Sequence, residues 1–382
     1  MKNIFKLLAF LPLLTACDDL FEPALENNRD LEAMYKEPSY AQGILANAYI
    51  ILPYETSPTS DLATDDAVTN EISSNYLRMA TGSWTANNNP VSQWQNRFNA
   101  IQYINLFLEN VDKVEWAKDE RISTMFLDRL KGEAYGLRAL HMYYLLRAHG
   151  GKIADGTLMG VPIILKSEGP DADFNHARAT YSDCVKQIME DADKAIELLP
   201  LDYKKFADSE IPEKYKNIGV TNASDYRRVC GEEYRGLMSG RIALAVRAQT
   251  ALLAASPAFQ SGSGMTWEQA ADYAAEIIEK ANGGGGCGLD ADGLEWYTLA
   301  DKDYGTGGSP AEVIWRSSTD DNNTLETANF PPSLYGNGRV NPTQNLVDAF
   351  PMANGYPISE TSGNYDAENP YDNRDPRLAK YI

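Results

Sequence analysis

Side chains suited to ligand recognition are concentrated in an irregular stretch, residues 53–91, where no helical or strand period is sustained. An aromatic ring can stack on the apolar C–H face of a sugar, and planar polar groups can hydrogen-bond adjacent hydroxyl groups. The candidates of both kinds are Asp65, Asp66, Arg78, Trp84, Asn87 and Asn88. A loop this long is usually functional or disordered, and Trp84 in its middle argues against disorder. An alternative stays open, in which Trp84 anchors the loop to a scaffold and the asparagines only turn the chain.

A second irregular region is rich in glycine and begins at Gly283. It contributes three weaker binding candidates, Trp296, Tyr297 and Tyr335. Three other tryptophans are predicted to pack in the interior. Trp94 and Trp116 belong to helical patterns, and Trp315 lies in a short strand-like run.

Catalytic arrangements are poorly supported. None of the three histidines, His141, His149 and His176, has a visible nucleophile partner. Glycoside hydrolysis needs two carboxylates set across a cleft, and nothing singles out Asp65 and Asp66 for that role. Residues 290–293 lack the remaining ligands of a calcium loop. The sequence therefore predicts a binding protein without catalytic residues, cofactor or metal, and a surface hydrolase remains the less favoured alternative.

The N-terminus predicts an export signal. Lys2 and Lys6 precede a short apolar run at residues 7–14, and small residues follow before Cys17. The run is far shorter than the ~20 residues that span a bilayer. A buried N-terminal helix is disfavoured, because acidic residues begin abruptly after Cys17. We assign residues 1–16 to a signal peptide and residues 17–382 to one mature domain.

The segment Leu14-Thr15-Ala16-Cys17 resembles the bacterial lipobox, whose cysteine becomes the lipidated first residue of the mature protein. Asp18-Asp19 is similar to the signal that sends lipoproteins of Bacteroidota to the outer face of the outer membrane. The resemblance implies acylation of Cys17, with palmitate as one acyl group, and anchoring in outer-membrane lipid facing the cell surface. Each buried methylene would contribute about 0.8 kcal/mol to that anchoring.

The net charge of the chain limits the classes of partner that it can bind. The chain has 54 acidic and 34 basic side chains, a formal net charge of −20. This excess argues against nucleic acid and anionic lipid headgroups as partners, and it suits an uncharged or cationic ligand. Cys184, Cys230 and Cys287 show no metal-ligand or redox spacing. A Cys184–Cys230 disulfide is left open.

Apolar residues recur every three or four positions in most of the remaining chain, which predicts helices. The predicted helical segments are 30–52, 92–114, 121–149, 180–199, 240–256 and 266–282. Helices that follow one another with alanine-rich contact faces are typical of an α-solenoid of the tetratricopeptide type. Long loops interrupt the period, which indicates that the loops carry the function.

Several segments resemble the motifs of one family, the SusD-like (RagB/SusD) family, in order and spacing. Residues 131–147 (KGEAYGLRALHMYYLLR) are similar to its GEA-x-x-LRA helix. Gly150-Gly151 together with residues 160–164 resemble its GGVPL turn, and Gly240-Arg241 resemble the start of a later helix. Residues 341–350 and 373–378 are similar to its later signatures.

The resemblance implies a mainly α fold, a tetratricopeptide-like helical-repeat superhelix that supports an irregular, loop-rich ligand face. It also implies capture of oligosaccharides or other glycans, starch among them, and their delivery to a SusC-like TonB-dependent transporter barrel in the outer membrane. A peptide or glycopeptide nutrient is the alternative ligand. Glu133 and Arg138 are expected to form a buried ionic set in the scaffold.

The chain departs from the family pattern at three places. Residues 152–159 split the turn motif, and residues 200–235 are longer than the usual connection. The chain also stops at Ile382, shortly after the last motif, so we expect the C-terminal part of the repeat to be missing and an apolar face of residues 240–282 to be uncovered.

Overall fold

The computed structural model describes residues 32–53, 59–85, 87–280, 313–317 and 322–382. In order, the helices are α1 (Ala33–Lys36), α2 (Pro38–Ile50), α3 (Asn75–Ala80), α4 (Trp94–Asn110), α5 (Glu120–His149), α6 (Tyr181–Leu198), α7 (Glu213–Lys216), α8 (Ala223–Cys230), α9 (Gly240–Ala255), α10 (Gln260–Ser263), α11 (Trp267–Lys280), α12 (Thr324–Asn329), α13 (Gln344–Ala349) and α14 (Leu378–Tyr381). The strands are β1 (Ala67–Thr69), β2 (Gly151–Lys152), β3 (Leu158–Met159) and β4 (Val340–Pro342). The prediction of a mainly α fold is confirmed.

The long helices pack in chain order. Helix α2 contacts α4, α4 contacts α5, α5 contacts α6, α6 contacts α9, and α9 contacts α11. Each helix therefore buries one stripe against the preceding helix and another against the following one, which is how a helical repeat builds a continuous core. In α4 the predicted stripe is buried in part, with Ile101, Ile104 and the following Val111 at most 2% exposed.

Local signals set several helix ends. The Thr180 hydroxyl accepts a hydrogen bond from the Asp183 amide at 3.0 Å, which starts α6. At the start of α11 the Gln269 side-chain oxygen accepts from the Thr266 backbone amide at 2.9 Å, and the Thr266 hydroxyl accepts from the Gln269 backbone amide at 3.2 Å. Helix α5 ends at His149, and the Gly150 amide bonds to the Leu146 carbonyl. Each contact satisfies a backbone group that a helix end otherwise leaves unpaired.

Arg138 joins three helices at the centre of the scaffold. Its Nε and Nη2 donate to Asp191 of α6 at 2.7 and 2.8 Å, and its Nη1 donates to the Asn105 amide oxygen of α4 at 3.0 Å. Asn105 in turn donates to the carbonyls of Ile164 and Lys166, so the chain after the split turn is tied to α4. All three polar side chains are buried, and the bidentate geometry compensates for part of the desolvation.

Glu133 belongs to a separate buried set. It faces Arg129 at 3.5 Å and accepts a hydrogen bond from the Tyr49 hydroxyl at 2.7 Å. Tyr49 accepts from the Met238 amide at 3.0 Å, which links α2 to the segment before α9. Burial raises the pKa of Glu133, and Arg129 opposes that rise. Glu133 and Arg138 are scaffold residues, as their place in an apolar helix predicted, although they do not pair with each other.

Residues 200–235 are more ordered than the sequence predicted. They contain α7, α8 and two single helical turns, at Asp208–Glu210 and Glu232–Tyr234. A second apolar cluster forms here against the first turns of α5, and its members are Ile122, Met125, Ile211, Tyr215, Val220, Tyr226, Val229 and Cys230. The segment is therefore a packed addition to the scaffold.

Two sequence expectations concern cysteines and membranes. Cys184 and Cys230 are both buried and free, so the possible disulfide between them is not formed. Cys287 and Cys17 lie outside the described residues. Across the described ranges, no helix combines the length and apolar character that crossing a bilayer requires.

Candidate functional site

The first irregular stretch folds into a defined unit ahead of α4. A single turn at Ser60–Ala63 packs on β1 and α3, and the Ser74 hydroxyl caps α3 by accepting from the Leu77 amide. After α3 the chain reverses at Gly82, whose φ of +67° suits glycine. The stretch predicted as irregular is thus held by short-range hydrogen bonds from 59 to 85.

Trp84 lies directly before a tight turn. The backbone of Thr85 and Asn88 exchanges two hydrogen bonds, at 3.0 and 3.4 Å. The Trp84 side chain stays 45% exposed, and Asn87 and Asn88 are exposed on the turn itself. The turn fixes the backbone beside an accessible indole, which suits stacking on a flat ligand.

The C-terminal part of the chain joins this unit through an antiparallel pair. Strand β1 pairs with β4 in the register Ala67 to Pro342. The carbonyl of Asp66 accepts from the Thr343 amide at 2.8 Å, and the Thr343 hydroxyl bonds to the Asp65 carbonyl. The Asp65 carboxylate accepts from the Asn345 side chain at 3.3 Å. We call residues 59–85 and 322–345 together the loop face.

Asn70 makes a second connection within the loop face. Its side chain donates to the Asn337 carbonyl at 2.9 Å and accepts from Arg339 Nη1 at 3.3 Å. These bonds hold the turn that carries Tyr335, a residue with φ of +64° whose side chain is 97% exposed. A tyrosine in the left-handed region is an uncommon conformation, and it projects the ring away from the fold.

The other predicted site residues are placed as follows. Asp65 is exposed, Asp66 and Arg78 are half-buried, and all three belong to the loop face. Trp296 and Tyr297 lie outside the described residues. Sequence reasoning missed Asn70, Thr343 and Asn345, because their contacts join positions more than 260 residues apart and leave no local pattern.

The tryptophans outside the loop face follow the predictions in part. Trp116 is buried and bonds to the Val111 carbonyl, and Trp315 is half-buried with its indole N–H on the Gly236 carbonyl. Trp94 is 43% exposed, although its helix predicted packing. Its ring contacts the rings of Phe98 and His149 in edge-to-face geometry, with centroids 4.9 and 5.4 Å apart.

The histidines occupy structural positions. His141 is fully buried between the Ala48 carbonyl and Arg97, and burial followed by the Arg97 charge lowers its pKa to about 3. His149 Nε2 accepts from the Gln93 amide at 3.0 Å. His176 pairs with Glu168 at 2.6 Å. Within the part of the chain that the structure describes, no group of three His, Cys, Asp or Glu residues is arranged to hold a metal ion.

Comparisons with known proteins agree with this architecture. The family model described as starch-binding, associating with the outer membrane, matches residues 25–214, and the model of the SusD family matches residues 311–382. Comparison with curated proteins finds no match. The chain belongs to the SusD-like (RagB/SusD) family.

Solved structures show the same fold. A SusD-like protein from Bacteroides fragilis matches with a TM-score of 0.62 at 18% identity, over 94% of this chain and 62% of its own. A SusD-like carbohydrate-binding protein from the same species matches at 0.59 and 19%, over 91% and 60%. A SusD superfamily protein from Bacteroides vulgatus matches at 0.53 and 19%, over 84% and 62%. The chain thus spans about 60% of the length of these relatives. The predicted tetratricopeptide-like, SusD-like fold is confirmed.

Proposed function

We propose that this protein binds oligosaccharides at the cell surface through its loop face, without catalysing their breakdown. One observation carries the proposal. Trp84 presents an indole that is 45% exposed on a hydrogen-bonded turn of a chain whose family model is described as starch-binding. A backbone fixed in this way loses little conformational freedom on binding, which favours affinity.

The polar side chains of the loop face suit a neutral, hydroxyl-rich ligand. Asp65 and Asp66 can accept hydrogen bonds from sugar hydroxyls, and Arg78 can donate them. Asn87 and Asn88, on the turn directly after the first segment of the loop face, can do both. The proposed contacts further include the exposed Tyr335, and Trp296 by its residue type alone. An acidic surface on a chain of charge −20 disfavours anionic polysaccharides.

Replacement of Trp84 by alanine tests the site. We expect binding of the best oligosaccharide in a glycan panel to weaken by about 1–3 kcal/mol, as for a central aromatic contact. Trp267→Ala is the matched control, because Trp267 has a similar exposed fraction, 48%, and lies on α11, outside the loop face. Calorimetric titration of both variants measures the difference. Equal affinities for wild type and Trp84→Ala would remove Trp84 from the site, and binding of peptides in place of glycans would favour the alternative nutrient.

We further propose that acylation of Cys17 anchors the protein in the outer membrane and that it delivers its ligand to a SusC-like TonB-dependent transporter. The support is the lipobox-like Leu14–Cys17 segment and the outer-membrane association in the family description. Labelled palmitate should be incorporated by wild type and not by Cys17→Ala. A barrel protein should co-purify with the acylated form, and its absence would leave the transporter without support.

A further inference from the structure

A cleft of about 480 Å³ opens at the opposite end of α6 from its Thr180 cap, and the loop face does not contribute to it. One side is the end of α6 with the following residues 199–201, and the other is the segment 206–215. The volume lies in the range of pockets that bury small molecules. The cleft exists because residues 200–235 pack as an addition to the scaffold, so it is independent of the glycan site proposed above.

The inner surface of the cleft is apolar and firmly supported. Leu198, Leu201 and Pro212 contribute aliphatic surface, and Phe206 contributes an aromatic ring. The Phe206 ring packs edge-on against buried Tyr226, with centroids 4.9 Å apart. A ring held by a buried neighbour offers a preformed contact for an apolar or ring-like ligand framework.

The charged groups that line the cleft are predominantly acidic. The Glu210 carboxylate already accepts a hydrogen bond from Lys204 Nζ at 2.7 Å. The Glu213 carboxylate is highly exposed and lies 3.7 Å from Lys216 Nζ. Glu197 is exposed, and within the described ranges its carboxylate forms no ion pair.

Lys214, the one cation among the described residues that line the cleft, is already engaged. Lys214 Nζ lies 3.3 Å from Asp128 Oδ2 and 3.3 Å from the Glu197 carbonyl oxygen. Asp128 also accepts from the Tyr215 hydroxyl at 3.0 Å, which fixes its position. An incoming anion would therefore meet a lysine whose charge is already compensated, whereas an incoming cation would meet the unpaired carboxylate of Glu197.

We propose that this cleft binds a compact molecule in which a protonated amine is joined to an apolar or ring-like framework. The amine lies at the Glu197 side of the opening, and the framework lies against Phe206 and the leucines. Two sources share this chemistry, a short oligosaccharide of glucosamine and a lysine side chain in a short peptide. The N-acetylated sugar and a norleucine peptide keep the framework and lack the charge, provided that both peptides are acetylated at the N-terminus.

Calorimetric titration of the full chain with these four probes tests the proposal. We expect at least one amine probe to bind about fivefold more tightly than its uncharged counterpart, the size of a partly exposed ion pair. The preferred amine identifies the source. Added salt should weaken the binding of the amine probe more than the binding of its uncharged counterpart. Equal affinity within both pairs, or no binding of either amine, would overturn the proposal.

Variants locate the binding. Glu197→Gln should reduce the affinity of the amine probe about three- to fivefold, and Phe206→Ala should weaken both members of the preferred pair. Glu190→Gln is the control, because Glu190 is a half-exposed carboxylate on the same helix and outside the cleft. Trp84→Ala should leave amine binding unchanged. An amine affinity that Glu197→Gln leaves unchanged, or that Trp84→Ala abolishes, would refute this location while leaving the glycan proposal to its own test.

Discussion

Replacing Asp191 with alanine would leave the guanidinium of Arg138 buried and largely unpaired. The two side chains are 0% and 6% exposed, and Asp191 receives two of the hydrogen bonds that Arg138 donates, at 2.7 and 2.8 Å. Only the bond to Asn105 would remain. Since loss of one partner from a buried pair strands a charge away from water, we expect the free energy of unfolding to fall by about 3–5 kcal/mol.

The double variant Arg138→Met, Asp191→Leu separates the stranded charge from the loss of the pair itself. Apolar side chains of similar volume remove both charges, so this variant should be more stable than Asp191→Ala and within about 2 kcal/mol of wild type. Glu190→Ala on the same helix is the control. Its pair with Lys186 is exposed and 3.9 Å long, so it should change stability by less than about 0.5 kcal/mol.

Urea unfolding followed by circular dichroism measures all three variants. The reasoning depends on desolvation, so two results would refute it. One is an Asp191→Ala variant that loses less than about 1 kcal/mol. The other is a double variant that is less stable than the single one, which would mean that the pair contributes net stability beyond compensating its own burial.

Three further predictions concern single side chains. The pKa of His141 is about 3 in the fold, below its ordinary value of 6.5, so its contribution to stability is full above pH 6.5 and falls as the pH decreases toward 3. Between pH 6.5 and about 5, wild type should therefore lose about 1.5 kcal/mol more of its free energy of unfolding than His141→Gln. Urea unfolding at each pH measures the difference. Burial raises the pKa of the Cys230 thiol to about 12, so alkylation followed by mass spectrometry should modify Cys230 only after denaturation, and labelling of the folded chain at the rate of a free thiol would contradict its burial. Thr180→Ala removes the cap of α6 and should cost about 1 kcal/mol, while Thr180→Ser should retain most of the stability.

Much of the scaffold could be predicted because helices depend on neighbours three and four positions away. Ile101 and Ile104 in the stripe of α4, and the caps at Thr180 and Thr266, depend on residues close in sequence. A helical period does not show which neighbouring element packs on the apolar stripe of a helix. Trp94 fits the helical period of α4, and its ring contacts His149 at the end of α5, yet this contact leaves the side chain 43% exposed.

The candidate sites depended on contacts that a linear pattern does not contain. The composition of residues 53–91 indicated a binding loop. The hydrogen bonds of Asn70 with Asn337 and of Asp65 with Asn345 form only because β1 pairs with β4. The cleft beside Phe206 arises only where residues 206–215 approach the end of α6. Its presence could not be read from a segment that appears polar and irregular in sequence.

The sequence by itself determined the helical class, the family motifs and the chemical types available for binding, because composition and short-range periodicity suffice for these. The tertiary structure decided which charges are paired, which rings remain exposed and which loops meet. Those outcomes depend on the energy of burial and on hydrogen bonds between distant segments, so Arg138 selects Asp191 on another helix although Glu133 lies only five positions away on its own helix.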